Sequence, residues 1–126
     1  MKALDTKAEK IFRQLTDGLS RAGDHRKIAN SKSFMALHAE IIGRHGDWPI
    51  FSLAHYYEQN GDLVCDPDVT FLAAEQVHPL TFEQGGVVYQ VAVRFEDNAI
   101  HLNERIQGQI TTFCNQWLRN IAEQQF

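Results

Sequence analysis

The chain has 126 residues, 44% of them hydrophobic and 22% charged. That is the ordinary globular composition of one domain, spanning 1–126, and it excludes wholesale disorder. A balance of 12 basic against 16 acidic residues leaves a net charge of −4, which excludes a broad basic coat for nucleic acid.

Leu4, Ala8, Ile11, Phe12, Leu15 and Leu19 recur at spacings of three and four, which predicts a helix over residues 5–20. Gly18 and Gly23 mark its end. Residues 22–33 read as a polar connector carrying Arg26, Lys27 and Lys32. Such a stretch is either a solvated loop or a contact for phosphate or an acidic partner. The period then changes to two. Met35, Leu37, Ala39 and Ile41 alternate with Ala36, His38, Glu40 and Ile42, a strand pattern. Gly43 to Asp47 reads as a turn and Ile50 to Gln59 as a second strand. Asn60-Gly61 is a strong hairpin signal, because both residues tolerate positive φ. Leu63 to Cys65 begins the return strand, Asp66-Pro67-Asp68 interrupts it, and Val69 to Glu75 resumes it.

Leu80 to Gln84 and Val87 to Phe95 flank Gly85-Gly86 as a second hairpin. The β-branched run Val87 to Val93 reads as a central strand. Ile106, Ile110, Phe113, Cys114, Trp117, Leu118 and Ile121 keep one apolar face and predict a helix over 104–122. Asn103 is placed to cap it, and Gly108 leaves room for another element to approach. The fold class is therefore α+β: an antiparallel sheet of four to six strands, with two hairpins, flanked by an N-terminal helix and a long C-terminal one. Both helices are expected to bury their stripes against one sheet face.

No apolar run reaches the ~18 residues of a membrane span, and the charged residues after Lys2 do not form a signal peptide. Cys65 and Cys114 make neither a disulfide framework nor a zinc signature. A cytoplasmic, thiol-reduced setting is expected.

The hairpin at Asn60-Gly61 carries the first candidate chemistry. A two-residue loop sets Gln59 opposite Asp62, Glu58 opposite Leu63, Tyr57 opposite Val64, Tyr56 opposite Cys65 and His55 opposite Asp66. A carboxylate beside an imidazole can orient a general base, and the same pair is also a common structural contact. On this register Asp66 raises the pKa of His55. No nucleophile or oxyanion donor accompanies the pair. Glu58, Asp62, Asp66 and Asp68 offer oxygen ligands for a hard cation, but alternation points Glu58 away from Asp62 and Asp66. A solvated hairpin tip and an acidic edge explain them more simply, so no metal is assigned.

Asp68 followed by Glu75 is a fragment of the acidic core of restriction-type nucleases, but the lysine that such sites need is missing. The histidines His25, His38, His45, His55, His78 and His101 show no zinc-protease spacing, and His38 reads as a half-buried polar residue. Cys65 is a thiol with no nearby cation to activate it, and Cys114 lies on the apolar stripe. Phosphate-loop, Gly-x-Gly-x-x-Gly and Gly-x-Ser-x-Gly motifs are absent, so no cofactor is expected.

Phe51, Tyr56, Tyr57, Phe71, Phe82, Tyr89 and Phe95 fall on predicted strands with Arg94 as their basic companion. Rings left on an open face favour protein docking over base stacking. Tyr56, Tyr57, Glu58, Asp62 and Asp68 are the candidate binding residues.

The stretch from Phe34 to Gln90 resembles an uncharacterised domain family of bacterial plasmids, phages and other mobile elements. The likeness is carried by Ser52-Leu53-Ala54-His55-Tyr56-Tyr57-Glu58-Gln59-Asn60-Gly61-Asp62-Leu63, by Asp66-Pro67-Asp68-Val69, and by Pro79-Leu80-Thr81-Phe82-Glu83 before Tyr89-Gln90. It implies a mobile-element accessory factor and carries no catalytic residues over. The expected function is a small cytoplasmic, non-enzymatic binding or adaptor protein that acts on a protein partner. The alternative is a hydrolase or metal-dependent nuclease using His55, Asp66 and nearby carboxylates. An uncovered strand edge would favour a homodimer.

Overall fold

A computed structural model describes residues 1–29 and 36–125. Helix α1 covers Thr6–Thr16, with Asp5 as its N-cap accepting the Ala8 amide at 2.8 Å. It ends before residue 20 because Thr16 turns its hydroxyl back to the Phe12 carbonyl at 2.9 Å and Gly18 adopts φ +84°. Ala8, Ile11, Phe12 and Leu15 form the buried stripe.

The expected connector after α1 is in part a strand. β1, His25–Ile28, pairs antiparallel with β2, Leu37–His45. Arg26, read as connector, donates to the carbonyls of Leu15 and Asp17 and so satisfies the open C-terminal end of α1. This tertiary role outweighs the polar composition that suggested a loop. Lys32, Phe34 and Met35 lie outside the described residues. β2 also runs on to His45, through the expected turn. Its register slips between Ile41 and Gly43, and the true turn is Gly46-Asp47.

Strands β3, Trp48–Gln59, and β4, Asp62–Ala73, form the long central hairpin. Asn60 at φ 52° and Gly61 at φ 86° make the two-residue turn that their types predict. β4 continues past Pro67, because the ladder is already irregular there and loses no donor.

β5, Val77–Gln84, and β6, Val88–Val91, complete a six-stranded antiparallel sheet in the order β1-β2-β3-β4-β5-β6. The run from Val87 to Phe95 is thus not one central strand. β6 is a sheet edge, and β7, Val93–Glu96, pairs with β8, Ala99–Leu102, in a separate hairpin. The break falls at Ala92. Its amide donates to Leu80 while its carbonyl accepts from Asn103, so the backbone is committed in two directions. Asp97 and Asn98 both take positive φ at the β7–β8 turn. The ring of Phe95 stacks on His45 at 4.0 Å and 17°, so this hairpin reaches the end of β2.

Helix α2, Glu104–Gln125, starts where Asn103 Oδ1 accepts the Ile106 amide at 3.1 Å. Both helices pack on the sheet face that carries Leu53, Val69 and Phe71. Phe12 meets Phe51 edge-on at 5.5 Å and Phe71 at 5.0 Å. Cys114 is buried in this core and its thiol pKa is pushed far up. A Cβ on Gly108 would lie 3.6 Å from the Lys2 side chain, an ordinary van der Waals contact, so the close approach expected there is not what the position requires. No helix among the described residues is long and apolar enough to cross a membrane.

Candidate functional site

Alternation divides the sheet into two faces. Phe51, Leu53 and His55 on β3 face the helices, whereas Ser52, Ala54 and Tyr56 face away. The pairing then builds two cross-strand rows on the second face. One row runs His25, Glu40, Ser52, Thr70, Thr81, Val91. Its neighbour runs Lys27, His38, Ala54, Asp68, Glu83, Tyr89. Tyr56 and Cys65 form the next pair toward the hairpin tip. Titratable groups are therefore gathered from all six strands onto one surface.

The rows are knitted by polar contacts. Ser52 Oγ donates to Asp68 Oδ1 at 2.6 Å, and the Thr70 and Thr81 hydroxyls are bonded to each other. His25 Nε2 lies 3.1 Å from His38 Nδ1, and the His38 ring meets Tyr56 edge-on at 5.3 Å. Burial raises the Asp68 pKa; the Ser52 hydroxyl opposes that and the charge of Glu40 adds to it. The Tyr56 phenol is raised by burial and by the charges of Asp68, Cys65, Glu40 and Glu83. His38 is lowered by burial, then by His25 and Lys27. Lys27 thus stands at the β1 end of the surface, with Glu40 on β2 and the acids Asp68 and Glu83 over β4 and β5.

A cleft of about 370 Å³ opens at the acidic end, between the β3–β4 tip and the β5–β6 turn. Tyr56, Leu63, Cys65, Asp68, Glu83 and Gly85 line it, and no basic residue does among the described residues. Beside it stand three exposed apolar side chains, Leu63 at 75%, Val87 at 89% and Tyr89 at 65%. A broader depression of about 530 Å³ beside α2 has mixed charge, with Lys2, Glu104 and Arg105 at its rim. No group of three or more His, Cys, Asp or Glu among the described residues is arranged to hold a metal ion.

Residues 6–126 match a domain of unknown function, DUF6908. The chain belongs to that family. The DUF6908 match extends well beyond the Phe34–Gln90 stretch on which the resemblance rests. No curated protein and no solved structure matches the chain.

Within this DUF6908 chain the two halves of the expected catalytic pair are not cross-strand partners. Ala54 pairs with Asp68 and Tyr56 with Cys65, so β4 places both Asp66 and Pro67 against the single residue His55. That bulge breaks the expected register. His55 is buried, its ring is edge-on to Trp117 at 5.6 Å, and its Nε2 has no hydrogen-bond partner. Asp66 Oδ1 instead accepts from Gln84 Nε2 at 2.6 Å. The His55 pKa is lowered rather than raised. Burial dominates, and the attraction of Asp66 only partly offsets it. The pair does not form the carboxylate-held imidazole that a general base needs.

The binding candidates divide by face. Tyr56, Glu58 and Asp68 share the open face, with Tyr56 and Asp68 in the cleft. Tyr57 and Asp62 alternate to the other side. Sequence reading counted Tyr89 among the possible docking rings but did not join it, Glu83 or Ser52 to these residues. Their signal was the alternation of Thr81 and Glu83 against Leu80 and Phe82, which becomes legible only once the neighbouring strand is known. It also held Arg94 as the basic strand residue, whereas Arg26, Lys27 and Arg44 lie on strands too.

Proposed function

We propose that this protein is a non-enzymatic binding module that receives a cationic, apolar-flanked segment of a protein partner in the cleft over β4 and β5. The carrying observation is the cleft itself: two acids on paired positions, Asp68 and Glu83, no basic lining residue among the described residues, and an exposed apolar rim. Asp68 is already burdened by burial and by Glu40, and its carboxyl is raised accordingly. A lysine or arginine entering the cleft relieves that repulsion, and Leu63 and Val87 supply apolar contact around it. Two acids with one hydroxyl suit an organic cation better than a bare metal ion, which asks for more oxygen ligands. Two unpaired thiols support a reducing compartment, the cytoplasm. The resemblance to mobile-element proteins supports a role as an accessory factor there.

The test is a fluorescence titration with a labelled peptide of alternating lysine and valine, against the wild type, Asp68→Asn and Glu83→Gln. Each substitution should weaken binding by roughly 10-fold or more, the worth of a charge-assisted hydrogen bond of about 1.5–3 kcal/mol. Asp68→Asn should not destabilise the fold. Its folded pKa lies above the unfolded value, so the folded state binds the proton more tightly and stability falls as pH rises through that range. Removing the charge removes that penalty, and the retained Oδ1 still accepts from Ser52. Equal affinity for all three proteins would refute the cleft as the binding site.

A further inference from the structure

β6 lies next to β5, the strand that supplies Glu83 to the acidic cleft, and among the described residues no strand pairs with its outer edge. The ladder phase identifies which of its backbone groups are free. The Ala92 amide donates to the Leu80 carbonyl at 2.9 Å, so the facing pair Leu80 and Ala92 is a hydrogen-bonded one. Hydrogen-bonded and non-bonded pairs alternate along an antiparallel ladder. Gln90 and Val88 therefore bond inward to β5, and Tyr89 and Val91 turn their N–H and C=O groups outward.

The two sides of this edge differ in chemistry. On the open face Tyr89 stands beside its cross-strand partner Glu83. On the helix face a narrow crevice of about 120 Å³ lies between Phe82, Gln90, Ile110 and Phe113. A strand laid against β6 would alternate its side chains between these two environments. A residue opposite Tyr89 sits two strand spacings, about 9.6 Å, from β5. That gap suits a lysine or arginine lying across the Tyr89 ring with its charge on Glu83. A residue opposite Gln90 presents to the apolar crevice instead.

We infer that the partner segment docks as an added seventh strand on β6, an extended peptide with cationic residues on the Glu83 side and apolar residues on the Phe113 side. This rests on the cleft reading above and specifies its geometry. Main-chain bonds to Tyr89 and Val91 hold the segment, and the alternating environments choose its sequence. The charge complementarity selects a foreign segment over a second copy of β6, whose own residues, Val88-Tyr89-Gln90-Val91, carry no cation.

The experiment uses the same alternating lysine–valine peptide, blocked at both ends, in three forms: unmodified, N-methylated at its lysines, and N-methylated at its valines. In an added strand only one set of amides faces β6. One methylated form should lose roughly 10-fold or more in affinity, and the other should bind like the parent. Tyr89→Pro, which removes an outward amide without taking an inward ladder bond, should weaken the unmodified peptide as well. Equal affinity of all three peptide forms overturns strand addition. If Asp68→Asn and Glu83→Gln still weaken binding in that case, the cleft reading stands without it. Sensitivity to one methylated form with indifference to both acid substitutions would do the reverse. A dimer in analytical ultracentrifugation that survives saturating peptide and is broken by Tyr89→Pro would assign the edge to a second copy and overturn the inference.

Discussion

Replacing His55 with leucine should leave the protein close to wild-type stability or above it at pH 7.5, and clearly more stable than the wild type at pH 5.5. His55 is 6% exposed and its Nε2 is unpaired. Removing an orphaned buried polar atom returns about 1–3 kcal/mol. Losing the edge-on contact with Trp117 costs about 0.5–1.5 kcal/mol. The net at pH 7.5 lies between a loss of about 0.5 and a gain of about 2.5 kcal/mol. Acid widens the difference. The folded-state pKa of His55 is depressed by burial and by His38, with Asp66 opposing. The unfolded chain therefore takes up a proton near pH ~6.5 that the folded chain refuses. Wild-type stability is complete above that pH and falls below it, by up to about 1.4 kcal/mol per pH unit, until the folded group also protonates. Urea denaturation of both proteins at the two pH values measures this directly. His38 is also depressed, by burial and by His25 and Lys27, which both proteins retain, so the difference between the two proteins reports His55 together with its repulsion by His38. If the wild type and His55→Leu lost stability in parallel between pH 7.5 and 5.5, the buried, neutral imidazole would be refuted.

Trp117→Ala removes a buried ring that contacts both His55 and Phe113; it should cost about 3–5 kcal/mol, read as a shift in the urea midpoint, and a loss below ~1 kcal/mol would mean that the ring is not core. Asp5→Ala removes the α1 cap and the 2.8 Å pair with Arg119, and a loss of about 0.5–2 kcal/mol at neutral pH is expected from the cap. The Asp5 carboxyl is held down by the Ala8 amide first and by Arg119, so its stabilisation is present above the unfolded pKa and disappears as pH falls through the folded one; a melting series below pH 5 should show the two proteins converging.

The parts of the fold that local chemistry dictates were legible in the sequence. Both helices carry strict apolar stripes, and Asn103 and Asn60-Gly61 act where their residue types say they must. What could not be read is what tertiary pairing decides. His25 to Ile28 has no strong strand propensity and becomes a strand because β2 offers it an edge and Arg26 is drawn to the end of α1. The run from Val87 to Phe95 looks central because β-branched residues suit any sheet, whether edge or interior. Only the competing bonds at Ala92 show that it divides. The candidate site was legible on one strand pair alone. Tyr56 and Asp68 were in hand, but Glu83 and Tyr89 join them only through the pairing of β4 with β5 and β5 with β6.

The bulge at His55 connects these observations. Counted strictly from the Asn60-Gly61 turn, Leu53 would pair with Asp68, and Asp68 and Thr70 would enter the core while Val69 and Phe71 faced away. One additional residue in β4 shifts every later side chain to the opposite face. It seats Val69 against Leu53 and Phe71 against Phe51 beneath the helices, and it delivers Asp68 to the open face beside Glu83. The same irregularity withdraws Asp66 from direct opposition to His55. The hydrophobic pattern of β4 demands this slip, since Cys65 shares the face of Tyr56 whereas Val69, four residues on, must be buried. The core could not close around Val69 and Phe71 without it, so the acidic cleft is assembled by the same register change that completes the hydrophobic interior.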